Sequence, residues 1–159
     1  DSFKRMTEFV LENNIDVLTF GINCPFPITA LYHRLDAEKR IFRKNYPEDW
    51  KYYDTAHVVH RLVDMTLENF IDGMQYMYDH LYAGDNLRMR FRKSLQTIGS
   101  TTHGKRNAMF GFRVGSDWIQ VFEQVLENLR LLYDSGDYYK DWYKSSAVTV
   151  PSEKGVAVS

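Results

Sequence analysis

Imidazole is the side chain best suited to hold a metal near neutral pH, and this chain carries five: His33, His57, His60, His80 and His103. Any one of them alone reads first as a surface residue or a satisfied core residue, so a site needs company. Cys24 is the only cysteine, which rules out an intrachain disulfide and a Cys-based zinc centre. There is no Gly-rich phosphate loop, no Ser-His-Asp order and no zinc-ligand spacing. Asp134, Asp137 and Asp141 lack the spacing of a calcium loop. Arg88, Arg90, Arg92 and Lys93 interleave with Met89 and Phe91 as a nucleic-acid stripe would, but the solvated face of a helix is the simpler reading. The histidines therefore remain the candidates for site chemistry, and no enzyme activity is expected.

The elements that would position these residues are helical. Phe3 to Asn13 reads as a short helix. Asn23-Cys24-Pro25 reads as a helix start, with Asn23 capping and Pro25 at the first position, leading into Ile28–Arg34. Asp36 opens a further helix holding Lys39, Ile41 and Phe42. From Asp54 to about Leu81 apolar residues recur at spacings of three and four (Val59, Val63, Leu67, Phe70, Met74, Met77, Leu81), the pattern of one long helix. Another runs from Leu87 toward Gly99, with Leu95 and Ile98 turned inward. Gly104, Gly111 and Gly115 read as a loop, after which Ser116 caps a helix with a wide apolar stripe from Trp118 to Leu132. Tyr138 to Trp142 begins a last helix, and 146–159 reads as a disordered tail. No segment alternates with a period of two between turn signals, so the fold class is all-α.

In order and spacing these pieces resemble the globins, invertebrate (nematode) ones most. Leu95-x-x-Ile98-Gly99 leads into His103, and Gly111-Phe112 with Trp118 follows, as around a globin's proximal histidine. Asp36 to Phe42 is similar to the short helix ending in the haem-stacking phenylalanine, and His57 to Met74 to the distal helix. The resemblance implies a three-over-three helical sandwich over residues 1–145, with a long distal-side helix and a shortened last helix. It implies haem b, with His103 as proximal iron ligand and Phe42, Leu67, Phe110 and Phe112 lining the slot. Ser100, Thr101 and Thr102 would orient the His103 ring. On the distal side helical periodicity prefers His60, which shares its side with Leu67, Ile71 and Met74 and has Asp64 as the single conflict, over His57, which shares its side with Arg61, Asp64 and Glu68. Two histidine ligands would give a six-coordinate, bis-histidyl iron suited to redox or oxygen sensing or electron transfer rather than oxygen storage, with diatomic gases as possible ligands. The alternative from another class is a haem-free all-helical interaction or ligand-binding module.

Composition bounds the partners. Twenty basic residues stand against 21 acidic ones, so the chain has no general attraction for nucleic acid or anionic membrane. No apolar run is long enough to span a bilayer. The lone cysteine suits a reducing compartment, and cytoplasmic localisation is expected. The start at Asp1, with neither Met nor a leader, reads as a domain excised from a longer protein.

Overall fold

The computed structural model describes residues 2–16, 18–83 and 85–134, with the side chain of Leu132 left aside. Among these residues are five α-helices: α1 (Ser2–Glu12), α2 (Ala30–Ala37), α3 (Leu67–Leu81), α4 (Asn86–Ile98) and α5 (Thr102–Asp134). A short 3₁₀ turn covers Glu48–Tyr52. The only β pairing among the described residues is an isolated antiparallel bridge between Ile41 and His60. The all-α expectation therefore holds, although several boundaries move.

The expected helix over 54–81 begins at Leu67 instead. Thr66 caps it, its hydroxyl accepting from the Asn69 N–H at 3.1 Å. Upstream, Thr55 and Asp64 adopt φ of 65° and 59°, which a helix cannot include. Val58 and Val59 are both fully buried although adjacent, as an extended segment sandwiched between two layers allows. The period read from Val59 and Val63 is thus fortuitous, whereas most of the later stripe is real: Leu67, Met74, Met77 and Leu81 are buried, Phe70 is only half-buried, and Ile71 beside it is the buried residue of that turn. The start at Asn23 moves as well. Thr29 caps α2 by accepting from the Tyr32 N–H, and Asp36 lies in its last turn rather than opening a new helix. Lys39 at φ 55° ends the element and sends Ile41 and Phe42 into extended backbone.

The largest revision concerns Gly104, Gly111 and Gly115. They lie inside α5, which is 33 residues long, about 50 Å at ~1.5 Å per residue. Gly104, Ala108, Gly111 and Gly115 recur at spacings of four, three and four, and all are buried, so they form a smooth ridge along one side of α5. Against it lies α4: a Cβ at Gly115 would come 2.8 Å from Leu87 Cδ1, and one at Gly104 would come 1.5 Å from the Ile98 carbonyl oxygen. Phe91 of α4 packs on Phe112, ring centroids 4.7 Å apart. Here glycine marks close helix approach rather than a chain break.

Two clusters form the centre. Ile22, Phe42, Val58, Leu67, Ile71 and Leu129 pack together. Val10, Met77, Leu81 and Tyr82 make the second, beneath α1. Phe3 of α1 sits directly over Gly73 of α3, where a Cβ would meet its ring at 2.1 Å. The extended stretch after α1 is held from the side by polar groups. Arg90 donates to the carbonyls of Ile15 (3.0 Å) and Leu81 (2.9 Å), and the Tyr82 hydroxyl donates to that of Leu18 (2.5 Å). Ser94 donates to Asp16, and the Ile22 N–H donates to Thr55 O at 2.7 Å. Arg90, read from sequence as part of a wet basic face, is thus buried. The helix expected at Tyr138–Trp142, the tail at 146–159 and the boundary at 145 lie outside the described residues.

Candidate functional site

His103 is exposed in the first turn of α5. Thr101, expected to orient its ring, instead accepts from the Gly104 N–H at 3.0 Å, satisfying one of the open donors of that helix end. Phe110 is 65 % exposed and Phe112 is half-buried against Phe91, so neither lines a slot shared with Phe42. Phe42 and Leu67 do belong to one core cluster, which includes Leu129. His60 is buried, as expected, but on the extended segment bridged to Ile41 rather than on a helix. Burial, with the Arg40 charge nearby, pushes its imidazole down to about 4, so the ring is neutral over the physiological range. His57 is half-buried; its Nδ1 lies 2.9 Å from the Asp54 carboxylate and its ring meets Tyr52 edge-on at 5.3 Å. Although Asp54 is partly desolvated, its carboxyl is held below the usual range by His57 and the Ala56 N–H. Both histidines thus serve the 38–66 segment, one inside and one at its edge.

That segment shapes a different site. Between the Pro25–Thr29 turn, the first turn of α2 and the 3₁₀ turn lies a cavity of about 240 Å³ lined by Pro27, Tyr32, Tyr46, Trp50 and Tyr53 together with Arg43, Lys44 and Asp49. Each charged wall residue is held. The Arg43 guanidinium lies 4.1 Å from the centroid of the Tyr52 ring and 3.6 Å from Asp49. Asp49 is buried, and its other oxygen accepts from the Asn45 N–H at 2.8 Å. Lys44 pairs with Asp36 at the half-open rim. The Tyr53 hydroxyl donates to the Arg43 carbonyl at 2.5 Å. Burial, with Tyr32, Cys24 and Asp49 nearby, raises that phenol above the tyrosine range, so it remains a neutral donor. At the mouth Tyr46 and Trp50 stack edge-on, centroids 5.4 Å apart, yet are 74 % and 50 % exposed. Ile28, beside Pro27, is 91 % exposed and adopts φ 68°, a strained conformation for a β-branched residue.

Sequence reasoning missed this site because its wall comes from short segments with no periodicity. The available signal was the density of Tyr and Trp with Arg43 and Lys44 between residues 43 and 53.

The geometry defines an all-helical domain with one irregular, aromatic-walled corner. Residues 29–140 match the family described as a domain of unknown function (DUF4070), and the chain belongs to that family. This overturns the globin resemblance, whose motifs were individually short and shared only their order. With it goes the ground on which haem b, gas ligands and a role in redox sensing or electron transfer were expected. No curated protein and no solved structure matches the chain. No helix among the described residues is long and apolar enough to cross a membrane.

Proposed function

We propose that this chain is a haem-free, all-helical ligand-binding domain that performs no chemistry of its own and serves a larger enzyme as an accessory part. The cavity walled by Tyr32, Tyr46, Trp50 and Arg43 carries the reading, because it combines an apolar aromatic lining with a few held polar groups, as small-molecule sites do. Domains of the matched family are in general associated with radical SAM and B12-binding related proteins. Radical SAM chemistry runs on an iron–sulfur cluster held by several cysteine thiolates, and this chain has a single cysteine. Cys24 is buried, and desolvation raises its thiol above the ordinary range, the reverse of what metal binding asks. The chain's residues therefore do not fit such a cluster, and the bond-making steps belong to another part of the enzyme. A reducing, cytoplasmic setting belongs to the same proposal.

The test is a fragment screen of the full 159-residue chain by NMR, using anionic, neutral and cationic single-ring compounds. Saturable shifts confined to the aromatic signals of Tyr32, Tyr46, Trp50 and Tyr53 are expected for at least one class. A screen in which no class moves them would reject the ligand-binding reading.

A further inference from the structure

The near balance of 20 basic and 21 acidic residues over the whole chain hides an uneven distribution. Residues 86–116 contain no Asp or Glu yet hold seven arginines and lysines, and they form α4, the first half of α5 and the turn between them. Arg90 is turned inward. The other six, Arg88, Arg92, Lys93, Lys105, Arg106 and Arg113, are exposed. Among the described residues Arg88 alone of the six is ion-paired, with Asp85, and that pair lies in water, where it is weak. Apolar side chains stand among the cations: Met89, Met109 and Phe110 are each more than half exposed. We propose that the α4–α5 hairpin is a peripheral docking surface for an anionic lipid bilayer, with Met109 and Phe110 entering the headgroup layer and the surrounding cations meeting lipid phosphates.

The packing of the two helices decides what faces out. Gly104, Ala108, Gly111 and Gly115 turn one side of α5 toward α4. Helical spacing therefore puts Arg106, Met109, Phe110 and Arg113 on the other side, away from α4. Met109 and Phe110 thus stand between an arginine one turn before them and another one turn after. On α4, Arg90 and Ser94 are buried, which leaves Arg88, Met89, Arg92 and Lys93 toward solvent. Packed helices lie about 8–10 Å apart, close to the screening length of physiological salt, so the α4 cations strengthen the same positive field. Cations around protruding Met and Phe side chains are what helices lying in a bilayer interface present, and the cytoplasmic leaflet carries the complementary negative potential. A nucleic acid could use the cations too. The flexible, apolar chains of Met89 and Met109, however, give neither the charge nor the flat ring that it binds, whereas the edge of an acyl layer accepts them.

Co-sedimentation of the full chain with lipid vesicles tests this, using phosphatidylcholine alone and an equal mixture of phosphatidylcholine and phosphatidylglycerol. Binding to the mixed vesicles should be at least about tenfold tighter and should weaken as salt is raised. Arg106→Gln combined with Arg113→Gln should weaken it about tenfold or more, and Phe110→Ser about three- to tenfold. All three positions are exposed, so the variants should keep the parent's melting temperature. As a control, Lys4→Gln combined with Arg5→Gln, on exposed cations of α1, should leave binding within about twofold. No binding to the mixed vesicles, equal binding to the two lipids, or a loss in the control pair as large as in the α5 pair would overturn the proposal. If Phe110→Ser changes nothing while a short RNA duplex displaces the chain from the vesicles, the hairpin is a nucleic-acid surface and the lipid assignment fails. It fails equally if sedimentation velocity without lipid shows a dimer that the α5 pair abolishes, which would give the surface to a second copy of the chain.

Discussion

At the scale of single residues the two histidines singled out from sequence separate by burial. His60 is 6 % exposed and is held neutral, its pKa pushed down to about 4 by burial and Arg40, against about 6.5 in an unfolded chain. Between those values the unfolded chain binds a proton that the folded one refuses. Stability from this residue is complete above about pH 6.5 and is lost as pH falls toward 4, on the order of 3 kcal/mol in all. Urea unfolding across that range should show the slope, and His60→Gln should flatten it; an unchanged slope in the variant would assign the pH dependence to other groups. His103, exposed at the start of α5, should behave as a surface position. His103→Ala is expected to change stability by no more than about 0.5 kcal/mol, read from thermal melts, and a large loss would show that its ring has a structural partner.

Among the elements, the α4–α5 pair depends on the smooth ridge of Gly104, Ala108, Gly111 and Gly115. At Gly104 an added Cβ overlaps the Ile98 carbonyl at 1.5 Å, and backbone there has no room to yield. Gly104→Ala should therefore cost roughly 2 kcal/mol or more. At Gly115 the obstacle is the end of the Leu87 side chain at 2.8 Å, which can turn aside, so Gly115→Ala should cost about half as much. Chemical denaturation of the two variants orders them; a harmless Gly104→Ala would mean that the helices do not approach as closely as the ridge requires. The helix that begins at Leu67 rather than Asp54 was also open to a closer reading. Thr66 is a favoured N-cap residue type standing just before an apolar run, a start signal that the spacing of Val59 and Val63 obscured.

For the molecule as a whole, the buried Arg90 is the tie between the extended stretch after α1 and the α3–α4 corner. Its guanidinium serves the Ile15 and Leu81 carbonyls and lies 5.4 Å from the centroid of the Tyr82 ring. Burial lowers its pKa from the arginine value, yet the group remains charged at any ordinary pH. Arg90→Met keeps the stem but strands two carbonyls, each worth about 1–3 kcal/mol when left without a donor. The expected result is a loss of a few kcal/mol together with faster hydrogen exchange at Ile22, whose N–H donates to Thr55. Unchanged exchange there would show that the stretch is held by its apolar contacts alone.

Local pattern was enough for the all-α class, for α1, and for the buried stripe from Leu67 to Leu81, because an amphipathic period and a capping hydroxyl act within a few residues of one another. It also singled out His60 as inward-facing, although by a helical argument that does not apply to an extended segment. It could not separate a glycine that breaks a chain from one that lets two helices touch, since the difference lies in what stands opposite: Leu87 and Ile98 for Gly115 and Gly104. Nor could it place Arg90 inside, because its burial is made tolerable by partners distant in sequence or set by the fold, the carbonyls of Ile15 and Leu81 and the Tyr82 ring. The corner cavity, beyond the Tyr and Trp density between residues 43 and 53, belonged to the tertiary structure. Pro27, Tyr32, Arg43 and Trp50 come from separate short segments, and folding alone brings their side chains around one space.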